Sequence, residues 1–461
     1  MEDLAEIAIQ SALDAGADFA DIRIEETYQT KFEISNSISK TSLGAQLRGA
    51  GIRAFVDGAW AFAHVSDFTS NGMKKTGQQV AKTALAIRDR VAEKFDLSGP
   101  CFQDKIRMKV KQKLIDVPLE EKMALVRMLD DEVHDVDRRI ANTQTIYRDL
   151  STQLYIANSF GTSVWVENSL PRILLRVTSK ENGIRQRAWG ETAGRGGFEV
   201  LDEIALCKIA RESANLAIDL LNSKTVPGGI YDVILDPKLN AAMVHEAFGH
   251  PCEADHWIAQ NSVLEGLLGH QVGPEFLSIV DDPTMPRERG SFEYDWEGTK
   301  TLKRSLVKAG ILTELMHNLE TATRMEMKPN GAARCQSFMY PPIPRMSNTY
   351  MEPGDWDVDE LILDTKEGIL LCDWNYGYTD HTKGQFMFQA SYGYLIEKGE
   401  KTQIIRDVSL AGQIVEFLHK IDALGNKLGM SAGTCGKGNQ LVPDNSGGPH
   451  ARVLQVPVGG M

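Results

Sequence analysis

Residues 226–250 read VPGGIYDVILDPKLNAAMVHEAFGH, and they combine a loop, a strand and a helix in close succession. The opening Val-Pro-Gly-Gly is typical of a connection between domains. The apolar, β-branched run over 231–236 predicts a short β-strand. Asp236 suits the N-cap of a following helix, and Pro237 suits its first turn. The stretch therefore predicts a domain boundary at 225/226, followed by a strand that leads directly into a helix.

Upstream of this stretch, the hydrophobic pattern changes period four times. Apolar residues with helical spacing alternate with strand-like segments that contain β-branched residues and glycine breaks. The predicted helices cover 2–16, 72–94, 118–139 and 200–222, and the predicted strands lie within 20–66 and 143–190. We therefore predict an N-terminal α+β domain over 1–225, with two rounds of helices and antiparallel sheet and a subdivision near 97–115.

Downstream, over 226–461, glycine and proline are frequent and long helical patterns are few. This composition favours a mainly β domain that carries one short functional helix. The fold class predicted for the whole chain is α+β, with N-terminal helices and antiparallel sheet and a C-terminal, mainly β domain that carries the short helix after Asp236.

Composition limits the classes of function that the chain can have. The 461 residues include 50 Lys and Arg against 63 Asp and Glu, which gives a formal charge of −13. This acidic balance argues against direct nucleic-acid binding. No apolar run approaches the roughly 20 residues that span a bilayer, which argues against a membrane protein. The 6 cysteines are scattered without a CxxC pair, so we expect a reduced, cytoplasmic protein.

The helix that follows the predicted strand contains the pattern HExxxH, in which His245 and His250 are five residues apart. In a regular α-helix this spacing turns the second side chain about 140° away from the first. A single π-bulge brings the two rings together, and unwinding near His250 is the other route. Gly249 would ease either distortion, and Pro251 disfavours α geometry at the residue before it.

A catalytic metal usually has three protein ligands and one open position, so two histidines are not enough. Cys435 is a distant candidate in a glycine-rich segment that allows close backbone approach. Spacing alone does not choose between it and the nearby candidates, which are Cys252, Glu253, Asp255 and His256.

Several widely spaced stretches carry a family resemblance. They are GIRAFVDGAWAFAHV (51–65), HEAFGHPCEAD (245–255), VDDPTMPRERGS (280–291), PRMSNTYMEPG (344–354), YLIEKGE (394–400) and CGKGNQLVP (435–443). Together they span nearly the whole chain. On these stretches the sequence resembles the TldD/PmbA (TldD/TldE) metalloprotease family, and within it the catalytic, TldD-type subunit.

The resemblance implies both a metal site and an activity. It implies that His245, His250 and Cys435 hold one divalent metal ion per chain and that Glu246 is the general base. A His/His/Cys donor set and hydrolysis favour zinc, although iron accepts similar ligands. The implied activity is hydrolysis of peptides or unfolded protein segments. The implied assembly is a heterodimer with a TldE/PmbA-like subunit, or a homodimer.

Other residues are candidates for supporting roles. Glu253 or Asp255 could orient a ligating histidine. His381 and Tyr378 are candidates for stabilising the oxyanion that forms during hydrolysis.

The chain departs from the family at two points. Asp444 and Asn445 stand where the family often has Val-Gly, and Pro251 stands where many members have glycine. Neither departure removes a ligand, but both could alter the shape of the site.

Two alternative functions remain open at this point. Members of the family have been described as modulators of DNA gyrase, so the chain could be a non-catalytic regulatory or protein-binding subunit. It could also be a metal-dependent hydrolase of a non-peptide amide. The combination of Glu246 with the three candidate ligands favours an enzyme over the regulatory subunit, because a scaffold needs no general base beside its metal. A long peptide cleft would favour the protease, and a closed pocket would favour the non-peptide hydrolase.

Overall fold

The computed structural model describes residues 1–460, and its N-terminal half forms one continuous seven-stranded sheet. The strands are β1 (Phe19–Ser35), β2 (Ile38–Val56), β3 (Ala59–Val65), β4 (Gln103–Ile106), β5 (Ile140–Asn158), β6 (Ser163–Glu181) and β7 (Ile184–Ala193). Their order is β3-β2-β1-β5-β6-β4, and β7 also pairs with β6. Only the β4–β6 pair is parallel. The antiparallel β1–β5 pair joins the two predicted rounds into one sheet.

Four helices cover this sheet in two pairs. They are α1 (Glu2–Asp14), α2 (Ser70–Ile87), α3 (Leu119–His134) and α4 (Glu203–Asp219). The first pair packs its small and β-branched side chains on β1 and β2, in a core that includes Ala8, Val80 and Ile52. The second pair forms a separate core with β5 and β6, which includes Leu129 and Ile173. Each predicted helix is present, but α2 ends at Ile87 and α3 at His134, which are earlier than the predicted limits of 94 and 139.

The C-terminal half is built mainly from strands in two larger sheets. The strands are β8 (Gly229–Leu235), β9 (Ile279–Asp281), β10 (Arg304–Lys308), β11 (Ile311–Leu312), β12 (Ala333–Arg334), β13 (Ile343–Pro344), β14 (Asn348–Met351), β15 (Glu367–Asp380), β16 (Gln385–Glu397), β17 (Glu400–Ile405), β18 (Val408–Gln413), β19 (Ile421–Leu424), β20 (Gly429–Lys437), β21 (Gln440–Gly448) and β22 (Ala451–Gly460). One sheet has the order β11-β10-β9-β14-β21-β20, so β20 lies at its edge. In the other sheet, β15-β8-β22-β18-β16 closes on itself through the β15–β16 pair.

The remaining helices are short. They are α5 (Pro237–Ala242), α6 (Ala254–Ile258), α7 (Leu319–Arg324), α8 (Val358–Asp364) and α9 (Ile414–His419). The α5 helix leaves β8 directly, and the Asp236 side chain caps it by accepting from Leu239 N at 2.8 Å. It continues as a π-helix (Met243–Gly249) and a 3₁₀ turn (His250–Cys252), which are buried in the main C-terminal core.

The fold is therefore α+β, with antiparallel sheets and a β-rich C-terminal half, as the sequence predicts. The division of the chain into domains at 225/226 stays a prediction. Within residues 1–460, no helix combines the length and the apolar character needed to cross a membrane.

Candidate metal centre

The five-residue spacing of the two motif histidines is accommodated by the π-helix. The His250 N–H donates to the His245 carbonyl, which is an i→i+5 bond and one residue wider than the α-helical bond. The two imidazole centroids lie 5.1 Å apart with their planes at 88°. The wider turn therefore places both rings on the same side of the helix, which a regular α-helix would not do.

Gly249 lies within this turn, where there is no room for a side chain. A Cβ atom at this position would lie 2.1 Å from the Met346 sulfur, and Met346 is fully buried. The φ angle of Gly249 is −60°, which any residue can adopt. Glycine is therefore required here by the close approach of Met346 and not by the backbone conformation. The absence of a side chain at Gly249 thus lets the π-helix pack closely against the sheet that contains β14.

The three predicted ligands meet in the structure. Cys435 lies on β20, and its Sγ is 3.6 Å from His250 Nε2. One donor atom from each of His245, His250 and Cys435 lies within 4.8 Å of the other two. All three side chains are buried. Two imidazoles and one thiol in this arrangement fit the three-ligand set of a catalytic metal site.

A buried carboxylate lies beside each imidazole. Glu253 Oε2 is 2.9 Å from His250 Nδ1, and Asp444 Oδ2 is 3.1 Å from His245 Nδ1. Metal-binding histidines commonly have such a partner on the nitrogen that does not face the metal. Glu253 was one of the two orienting residues suggested by the sequence. For Asp444 the sequence indicates only a departure from the family, because nothing in it pairs β21 with the HExxxH helix.

The charges in this cluster favour a bound cation. Burial opposes ionisation of the Cys435 thiol, but the charges on His250 and His245 outweigh it and lower its pKa to about 6. Burial also lowers the pKa of His250, but Glu253 and the thiolate outweigh this effect and raise it to about 10. The same thiolate and carboxylates that stabilise positive charge on the rings would stabilise a metal ion between them.

A second donor group lies on the other side of His250. His250, Glu253 and His256 also have donor atoms within 4.8 Å of one another. However, Lys437 Nζ lies 3.0 Å from Glu253 Oε2 and 2.6 Å from Asp255 Oδ1, so a positive charge already occupies this side. The electrostatics favour the thiol-containing group. Asp255 pairs with this lysine and not with a histidine.

Glu246 lines a cleft between the two halves of the chain. The cleft has a volume of about 270 Å³. Its wall includes His245, Glu246, Asp444, residues 431–434 of β20 and, from the N-terminal sheet, Arg172, Trp189 and Glu191. Arg172 Nη1 donates to Thr434 Oγ1 at 3.0 Å and so joins the two walls. The residue between the histidines therefore faces a space that both halves enclose.

The remaining sequence candidates lie elsewhere or act differently. Cys252 is fully buried outside the His/His/Cys group. Tyr378 is 61% exposed and lines a separate groove with Phe386. His381 is close to the site, with its ring centroid 5.1 Å from that of His250, but its Nε2 lies 3.1 Å from the Glu246 carbonyl oxygen. Burial, together with the charges of His250 and His256, lowers the pKa of His381 to about 4.

Comparison with known protein families accounts for most of the chain. Residues 20–87 match PmbA/TldA metallopeptidase domain 1, residues 112–221 match the central domain, and residues 228–460 match the C-terminal domain. The chain belongs to the PmbA/TldD metallopeptidase family. The family indicated by the sequence resemblance is thereby confirmed.

Relatives in this family align over nearly the full chain. A metalloprotease of Methanothermobacter thermautotrophicus is 33% identical over 96% of this chain and 96% of its own length. A zinc metalloprotease TldD homolog of Saccharolobus solfataricus is 28% identical over 98% of this chain and 99% of its own. At the coarse level, these relationships identify the chain as a metal-dependent peptidase.

The fold is also shared with a solved structure. TldE from Thermococcus kodakarensis has a TM-score of 0.79 at 16% identity, covering 99% of this chain and 100% of that one. At this identity the comparison bears on the fold alone.

Proposed function

We propose that this chain hydrolyses peptides or unfolded protein segments with a metal-activated water, with Glu246 as the general base. The observation that carries the proposal is the meeting of His245, His250 and Cys435 donor atoms within 4.8 Å, beside a glutamate that lines a cleft. Three buried ligands with an adjacent carboxylate form the arrangement that metal-assisted hydrolysis needs.

The donor set suits zinc, and this inference agrees with the name of the relative from Saccharolobus solfataricus. Iron would accept the same ligands. When bound, the metal would lower the pKa of a water and polarise the substrate carbonyl. His245, His250 and Cys435 would hold it, and Asp444 and Glu253 would fix the two imidazole rings.

The chain's own residues would carry out the proton transfers. The Glu246 carboxylate accepts a proton as the nucleophile forms and delivers it to the leaving amine nitrogen. Its position directly after His245 holds it beside the ligand cluster and within the cleft. The walls that Arg172 and Thr434 join would keep the scissile bond beside this carboxylate.

The shape of the cleft also bears on the substrate. A cleft between two halves of the chain suits a flexible, extended peptide better than a folded protein. As the family resemblance implies, the assembly that we propose is a heterodimer with a TldE/PmbA-like subunit, with a homodimer as the alternative. We further propose a cytoplasmic location and the division into domains over 1–225 and 226–461.

The test compares cleavage of an unfolded protein, such as reduced and carboxymethylated casein, with cleavage of a tightly folded one. We expect internal peptide products by mass spectrometry only from the unfolded protein. Chelation should abolish cleavage, and adding zinc or iron back should restore it. Cleavage of small amides alone would indicate a non-peptide amidase. No hydrolysis by metal-loaded protein, with or without a TldE-like subunit, would support a regulatory role.

A further inference from the structure

The main-chain hydrogen bonds of the π-helix end at a proline. The pattern runs from each carbonyl to the N–H five residues later and ends with the bond from His250 N–H to the His245 carbonyl. The next bond would join the Glu246 carbonyl to the N–H of residue 251. That residue is Pro251, which has no N–H. The α-helical alternative would need the His250 N–H, which already donates to His245.

A side chain from another part of the fold fills this gap. His381 Nε2 lies 3.1 Å from the Glu246 carbonyl oxygen. A carbonyl oxygen only accepts hydrogen bonds, so Nε2 is the nitrogen that carries the proton. The bond spans 135 positions of sequence and connects the turn after β15 to the centre of the HExxxH motif.

The turn that presents His381 is itself well fixed. The main-chain carbonyl of His381 accepts a hydrogen bond from Val263 N at 2.8 Å. The Asp380 side chain accepts from the backbone N–H groups of Thr382 at 3.1 Å and Lys383 at 3.0 Å, and Gly384 N donates to the Asp380 carbonyl at 2.7 Å. These bonds fix the backbone of the turn from which the imidazole projects.

We propose that His381 is a positioning residue, whose Nε2–H replaces the backbone N–H that Pro251 lacks and thereby fixes the turn that aligns His245 with His250. The metal-binding consequence rests on the proposed function, whereas the hydrogen bond itself does not. Because the Nε2 proton of His381 is committed to the Glu246 carbonyl, this nitrogen is not available to stabilise an oxyanion.

A double-mutant cycle tests whether the His381 side chain takes the place of a backbone N–H at position 251. His381→Ala should weaken metal binding roughly tenfold, as loss of a supporting contact commonly does. In a Pro251→Ala background, residue 251 regains its N–H, and the same histidine substitution should then have little effect. His381→Gln should partly rescue binding, because its amide can donate to the carbonyl. The dissociation constant is measured by competition with a chromogenic chelator.

The same set of variants is also compared by urea unfolding of the metal-free proteins. The urea midpoint then reports the coupling between positions 251 and 381 independently of metal binding. Its control is His270→Ala, which removes an exposed imidazole. Coupling between positions 251 and 381 in both readouts supports the proposal. Equal losses from His381→Ala in both backgrounds would overturn it. If the parent protein binds no metal, the proposed function fails, while the urea cycle still decides whether the hydrogen bond has this role.

Discussion

Replacing Glu246 by glutamine should lower kcat for peptide cleavage by roughly 10²- to 10⁴-fold, the usual contribution of a general acid–base group. The amide has nearly the shape of the carboxylate but cannot accept the proton of the attacking water. Because Glu246 is not among the three predicted ligands, the metal content of the variant should equal that of the parent. Steady-state kinetics and elemental analysis on the same preparation would measure both quantities.

Glu265→Gln is a suitable control, because it makes the same change at an exposed glutamate. We expect this control to retain parental kcat. A fully metal-loaded, folded Glu246→Gln variant with parental kcat would rule out the general-base role. Loss of metal in that variant would instead assign Glu246 a ligand or structural role.

The second large effect concerns the junction between the two halves of the chain. Arg53 on β2 forms a buried ion pair with Asp21, and its Nη2 lies 2.8 Å from Glu297 Oε1 in the C-terminal half. Glu297 in turn accepts from Leu319 N at 2.7 Å. Arg53→Met would leave Glu297 buried without its arginine. We expect the free energy of unfolding to fall by about 3–5 kcal/mol, as when one partner of a buried pair is removed.

Urea unfolding of Lys208→Met provides the comparison for this prediction. Lys208 pairs with Glu212 at 3.8 Å, but both side chains are mostly exposed. Such pairs contribute at most about 1 kcal/mol. Similar urea midpoints for the two variants would contradict the view that the buried Arg53 network joins the halves.

Much of this architecture could be predicted from the sequence because the signals are local. Capping by Asp236 and the strand before it were readable from adjacent residues, and both are present. The need for an irregular helix followed from the His245–His250 spacing, since an α-helix separates those side chains. The spacing left both a π-bulge and unwinding near His250 open.

Contacts between residues far apart in the sequence could not be predicted in the same way. The sequence could not show that Asp444 faces His245, because that contact depends on how β21 is placed against a helix about 200 residues earlier. Nor could it separate Glu253, which contacts His250, from Asp255, which contacts Lys437. The sequence indicated a local irregularity at Pro251. That the His381 side chain compensates for the missing N–H of this proline could be inferred only from the three-dimensional structure.

Metal content per chain, measured in Cys435→Ser and in Cys252→Ser, tests the central claim most directly. Both changes remove a buried thiol, but only Cys435 belongs to the His/His/Cys group. We predict about one zinc or iron per chain in the parent and in Cys252→Ser, and its loss in Cys435→Ser. Full metal content in Cys435→Ser would contradict the site, as would a parent protein that takes up no metal after reconstitution.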